Sequence, residues 1–223
     1  MRLTVTVAAG LLLCGCSTAV AGQGTYLGPP TTQATTAPPT TTAPTPTPTP
    51  TPVRYDPGRR ALACRGARVL VPKGGPYCYP IPAGMRDATR QVTLAAGTGA
   101  ARYVTAVGLA DRDVIVVLAY RMPLNTDLLP NATIAAELRG LLASLARTGF
   151  VFASRTPTVT TVDRARAFTY HARSRDSSYQ SDLTFVFRGR SQVEVLCQYA
   201  DRPAAMQRAC RQVLGTLQIR TVT

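Results

Sequence analysis

The 223-residue chain has no tryptophan, one lysine (Lys73) and one histidine (His171). Each scarcity excludes a class of chemistry. A single histidine, with no Cys-x-x-Cys spacing among the cysteines, leaves no ligand set for zinc. Lys73 has no serine three residues before it, so a Ser-x-x-Lys dyad is absent. His171 lies in a Tyr170–Ala172 context with no serine motif of the nucleophile-elbow kind, and is expected to be an ordinary surface or satisfied histidine. Gly97-Thr98-Gly99 lacks the third glycine of a dinucleotide fingerprint and reads as a loop. Asp111 and Asp113 have the composition of a turn. The sequence therefore predicts no catalytic residue, no metal and no cofactor, and it points away from an enzyme.

Charge is also missing where it matters. No charged residue lies between Leu3 and Val53, and the apolar run Leu3–Leu13 is far shorter than the ~20 residues that span a bilayer. With Arg2 ahead of it, the run has the form of a signal peptide. It ends in Leu13-Cys14-Gly15-Cys16, an aliphatic residue three before a cysteine and a small one just before it. That spacing predicts a lipoprotein signal over 1–15, with Cys16 as the lipidated first residue of the mature chain. Cys14 cannot be the acceptor, because Leu13 occupies the place of the small residue.

Residues 16–52 are low complexity, closing in a Thr-Pro alternation from Thr45 to Pro52. Such a segment buries too little apolar surface to fold and favours polyproline II. At ~3.1 Å per residue it could hold the rest of the chain on the order of 100 Å from a lipid anchor. Residues 53–223 are expected to form a single extracytoplasmic domain, held to the outer face of the cell membrane by the lipid.

Basic residues number 25 against 11 acidic ones, a formal net charge of +14, and all but Lys73 are arginine. Balance of this size suits anionic partners. Export argues against nucleic acid and leaves anionic lipid or polymer of the envelope, although high-GC codon usage is the blander cause.

The apolar patterning predicts strands at Ala67–Pro72, Tyr77–Pro82, Gln91–Ala95, Arg102–Leu109 and Val114–Tyr120. Ile134, Leu138, Leu141, Leu142 and Leu145 recur at helical spacing, with Asn131 or Thr133 to cap the start and Gly149 to close the end. A meander of Phe168–Arg173, Leu183–Arg188 and Ser191–Tyr199 follows, then a helix from Pro203 to Leu217 striped by Met206, Cys210, Val213, Leu214 and Leu217. Asn131-Ala132-Thr133 matches a glycosylation sequon that a bacterial source makes incidental. The element order favours an α+β fold, a mostly antiparallel sheet packed with two helices.

Cys64, Cys78, Cys197 and Cys210 remain for two disulfides. Cys197 shares an inward strand face with Val193 and Val195, and Cys210 lies on the buried stripe of the helix that follows. A short connection near Asp201 would fold that helix over its own strand, pairing Cys197 with Cys210. Cys64–Cys78 follows by elimination and proximity.

Several segments carry a resemblance. Pro82-Ala83-Gly84-Met85, the helix leading into Thr148-Gly149-Phe150, Val162–Ala167, and the hairpin, strand and closing helix from Phe185 to Leu217 resemble the PsbP-like α/β sandwich, in the variant of LpqN/LpqT-type actinobacterial lipoproteins. Met85 stands where that family has an aromatic residue, and Asp163 where it has glycine. The resemblance implies a binding or assembly module and brings no catalytic residues.

One cluster remains. Arg164, Arg166, Arg188 and Arg190 fall at one end of the meander, at i, i+2 spacings that keep each pair on one face of a regular strand. They form a candidate anion-binding rim. The chain thus reads as a lipid-anchored, non-catalytic module for a protein or an anionic envelope component. The alternatives are a carrier of a lipid or other apolar ligand and, behind it, an envelope hydrolase.

Overall fold

The computed structural model describes residues 61–92 and 101–221. The expected signal peptide over 1–15, Cys16, the Thr/Pro segment and Gly97-Thr98-Gly99 lie outside them. The strands are β1 (Val69–Leu70), β2 (Tyr77–Pro80), β3 (Arg86–Asp87), β4 (Ala101–Ala110), β5 (Asp113–Arg121), β6 (Phe150–Phe152), β7 (Thr158–Val162), β8 (Ala165–Ser174), β9 (Gln180–Arg188), β10 (Ser191–Tyr199) and β11 (Gln218–Ile219). The helices are α1 (Asn131–Arg147) and α2 (Pro203–Thr216).

One antiparallel sheet runs β3-β4-β5-β10-β9-β8-β6, with β7 also pairing to β8, and a small sheet β1-β2-β11 lies apart from it. The fold is the α+β sandwich that the element order favours. Alternation along the strands sends residues to two cores. On one face Ile134, Leu138, Leu141, Leu142 and Leu145 of α1 pack over Leu118, Phe168, Phe185 and Leu196. On the other, Met206, Cys210 and Val213 of α2 join Tyr77 and Tyr79 of the small sheet over Ile115, Val117, Val193 and Val195. Both disulfides form as expected, Cys64–Cys78 and Cys197–Cys210, and the second ties α2 to β10.

Three local expectations are corrected. Pro130, not Asn131 or Thr133, occupies the N-cap of α1, and its carbonyl accepts from the amides of Thr133 and Ile134. Gln91 ends a 3₁₀ turn over Thr89–Gln91 instead of starting a strand; residues 93–95 lie outside the described region. The strand from Phe168 begins earlier, at Ala165, because β7 and β8 form a hairpin that the polar run Thr158-Val159-Thr160-Thr161 concealed.

Two positions singled out in the sequence, Asp163 and Met85, gain physical reasons. Asp163 and Arg164 form the two-residue turn of that hairpin, with φ of 48° and 62°. Asp tolerates the left-handed region better than most residues, and here its carboxylate accepts from the Ile219 amide (2.8 Å) and from Arg188 (2.8 Å). Met85 follows the turn at Gly84 (φ 79°) and is buried in the α2-side core, supplying the apolar volume an aromatic would. No helix among the described residues is long and apolar enough to cross a membrane.

Candidate functional site

The four-arginine rim does not assemble. Arg166 pairs across the ladder with Phe187, so Arg188 falls one residue out of step and points to the opposite face of the sheet. Arg166, 2% exposed, reaches under the start of α1, bonding the carbonyls of Thr126 and Leu129 and the Asn131 side chain (3.1 Å). Arg188, 3% exposed, is held on the other side by Asp163 and by the Ile219 carbonyl (2.6 Å). Neither guanidinium is available to an external anion. Arg164 and Arg190 are exposed, the latter donating to the Pro123 carbonyl (3.0 Å).

The other sequence candidates are tied into the fold. Asp113 is fully buried and accepts from the amides of Ala200 (2.8 Å) and Asp201 (3.1 Å), which bends the chain out of β10 towards α2. It is an internal acceptor, so it forms no carboxylate pair with Asp111. The Nδ1 of His171 lies 2.6 Å from the Asp182 carboxylate, which also accepts from the Tyr199 hydroxyl at 3.3 Å. Lys73 is exposed on the turn before β2. The four described cysteines are oxidised and carry no thiol.

A concave site does form, at the other end of the sheet from the expected rim. A groove of about 380 Å³ runs between the C-terminal half of α1 and β6. Leu142, Ala143 and Ala146 make one wall, and Phe150, Val151 and Phe152 the other. Arg139, Arg155 and Arg175 edge it, and no acidic residue lines it. Gly149 (φ 113°) ends α1 and turns the chain directly into β6, which places both walls on one connection. The Arg175 guanidinium donates to the Ala146 carbonyl (3.3 Å), so it spans the groove's end. Behind the floor, Tyr170 packs edge-on to Phe152 with centroids 6.4 Å apart. Burial pushes its phenol up to about 12, against the opposing charge of Arg139, and its hydroxyl has no hydrogen-bond partner.

The arrangement offers three fixed-charge donors around an apolar floor. That chemistry suits a partner with an anionic group beside an apolar one. Sequence reading missed the site because Arg139, Arg155 and Arg175 belong to a helix, a loop and a turn. At spacings of 16 and 20 residues, no period within a single element relates them.

Neither a family model nor a curated protein sequence matches the chain. Solved structures do. Cyanobacterial PsbP (CyanoP) from Synechocystis sp. PCC 6803 is similar over 70% of this chain and 97% of its own, with a TM-score of 0.49 and 10% identity. LpqN, described as involved in cell envelope biogenesis of Mycobacterium tuberculosis, is similar over 63% of this chain and 81% of its own, with a TM-score of 0.41 and 10% identity. A Bacteroides thetaiotaomicron protein is similar over 69% of this chain, with a TM-score of 0.43 and 10% identity; the chain spans about half of that protein's length.

Proposed function

We propose that this chain is a lipid-anchored, non-catalytic protein of the cell envelope, whose folded region binds a partner that is anionic and partly apolar. The observation that carries this reading is the groove between α1 and β6, where three arginines edge an apolar floor without a lining carboxylate. The N-terminal motif ending at Cys16 supports a position outside the cytoplasmic membrane, and the charge of +14 favours anionic partners at that surface. The non-catalytic part rests on the fate of the groups that chemistry would need. Asp113 is spent on backbone amides, His171 is engaged by Asp182, and the described cysteines are disulfides.

The apolar floor lends some support to the second reading, a carrier of a lipid or other apolar ligand. Such a ligand would lie in the open groove, since Leu138, Leu145, Phe168 and Phe185 fill the space between helix and sheet. Crosslinking from intact cells, with lipids extracted from the purified protein in parallel, separates the two. A protein or polymer crosslinked through groove positions, and lost in Arg139→Gln/Arg155→Gln/Arg175→Gln, supports the binding module. A stoichiometric extracted lipid supports the carrier. Partner capture that the triple variant leaves unchanged would show that the groove is not the binding site.

A further inference from the structure

A second concave site lies at the end of the sheet remote from the groove, where β4 begins and β5 ends. Arg102, Arg121 and Arg220 surround a pocket of about 100 Å³ closed by Gly74, Pro76 and Tyr103. The positions of these arginines come from the fold. Ala101 pairs with Tyr120 and Tyr103 with Ala119, so Arg102 is the extra residue of a β-bulge, a device that re-aims a side chain. Arg121 is the exposed last residue of β5. Arg220 leaves β11 with its amide on the Pro76 carbonyl (2.8 Å) and one guanidinium nitrogen on the Gly74 carbonyl (2.6 Å).

That clamp fixes the Arg220 guanidinium but leaves its Nε–H buried without a hydrogen-bond partner. A buried donor left unmade is costly and calls for an acceptor. No aspartate or glutamate lines the pocket, and among the described residues none of the three arginines makes an ion pair. The space equals that of about three waters, enough for one tetrahedral oxyanion. Guanidinium forks suit phosphate oxygens, and three cations outweigh the single charge of a carboxylate.

We infer that Arg102, Arg121 and Arg220 form a binding site for one terminal phosphate group. The group comes either as free phosphate or as the phosphomonoester headgroup of a lipid. The segment that follows Arg121 bears on the second source. It is pinned to the β9–β10 turn by the Thr126 amide on the Gly189 carbonyl (2.7 Å) and by the Gly189 amide on Asp127 (2.9 Å). It exposes Leu124 by 43% and Leu128 by 81% beside this cationic end.

The test is calorimetric titration of the full chain, in neutral detergent, with inorganic phosphate and with acetate at matched ionic strength. One-to-one binding is expected for phosphate and none for acetate. Arg102→Gln/Arg121→Gln, at exposed positions that spare folding, should weaken phosphate binding at least tenfold, and Arg220→Gln should do the same. Arg164→Gln/Arg190→Gln, cations of the same end that do not line the pocket, should leave it within twofold. Vesicles containing phosphatidic acid or phosphatidylglycerol then identify the source. Preference for phosphatidic acid that soluble phosphate competes away and Leu124→Asn/Leu128→Asn reduces assigns a lipid headgroup; phosphate binding without that preference assigns the free anion. No saturable phosphate binding, or equal binding by Arg102→Gln/Arg121→Gln and the parent, overturns the site. Neither result touches the groove.

Discussion

The carboxylate of Asp163, in a hairpin turn, lies 2.8 Å from the guanidinium of Arg188 at the end of another strand, and both side chains are buried. Asp163 also receives the Ile219 amide, while Arg188 donates to the Ile219 carbonyl and the Asp163 carbonyl. One ion pair thereby fastens the β7–β8 turn, the end of β9 and the small sheet. Asp163, at the tip of the hairpin, is the residue that makes the fastening.

Breaking this pair should be costly, because it strands a buried charge. Arg188→Ala is expected to lose about 3–5 kcal/mol of folding stability. Arg188→Ala with Asp163→Gly should lose less than the sum of the single changes, since the second removes the stranded carboxylate. Urea denaturation of the four proteins measures the coupling; simple additivity would refute it.

Glu194, at the middle of β10, is fully buried, and desolvation pushes its carboxyl from the usual 4.5 up to about 8, moderated by the Tyr120 hydroxyl at 3.3 Å. Below about 4.5 the group is protonated in both folded and unfolded chains and costs nothing. As pH rises towards 8 the unfolded chain loses this proton and the folded one keeps it, so stability falls with pH. Glu194→Gln should therefore flatten the decline in Tm between pH 5 and pH 8 and melt higher than the parent at pH 8. Parallel pH profiles for the two proteins would contradict this.

The disulfides close loops of similar length, with sequence separations of 14 and 13 residues. Each should contribute roughly 3 kcal/mol in the chain-entropy description. Cys197→Ala/Cys210→Ala should cost more than Cys64→Ala/Cys78→Ala, because Cys197 and Cys210 are both buried in the α2-side core and leave a void, whereas Cys64 lies outside it. Denaturant midpoints of the two double variants decide the order.

Anchoring is tested by fractionation. Cys16→Ala should move the protein from the membrane to the soluble fraction, whereas Cys14→Ala should leave it attached. A diacylglycerol on Cys16 would supply the two chains that stable anchoring needs. Membrane association of Cys16→Ala at the parent level would show that something else holds the chain.

Phosphate and groove variants bear on separate ends of the sheet and should not influence one another. Arg139→Gln should leave phosphate affinity within twofold, and Arg121→Gln should leave groove crosslinking intact. Calorimetry and crosslinking yield on the two single variants check this independence.

Sequence alone determined the parts that rest on a local period or a fixed spacing. The stripe Ile134–Leu145 buries the residues its helical spacing selects, because a helix in contact with a sheet has one face to hide. Alternation in Leu183, Phe185, Phe187 and in Val193, Val195, Cys197 likewise sorts these residues to their two cores, and with them the Cys197–Cys210 pairing. Only the tertiary structure decided where the arginines go. Arg166 and Arg188 look alike in sequence, but a one-residue step in register sends them to opposite faces, where each becomes an internal brace. The cations that do converge, Arg102 with Arg121 and Arg220, and Arg139 with Arg155 and Arg175, are separated by 16 to 118 residues. Long-range pairing brings them together. A periodic pattern states which face a residue occupies within its own element; which elements meet, and at what register, is settled by packing between them.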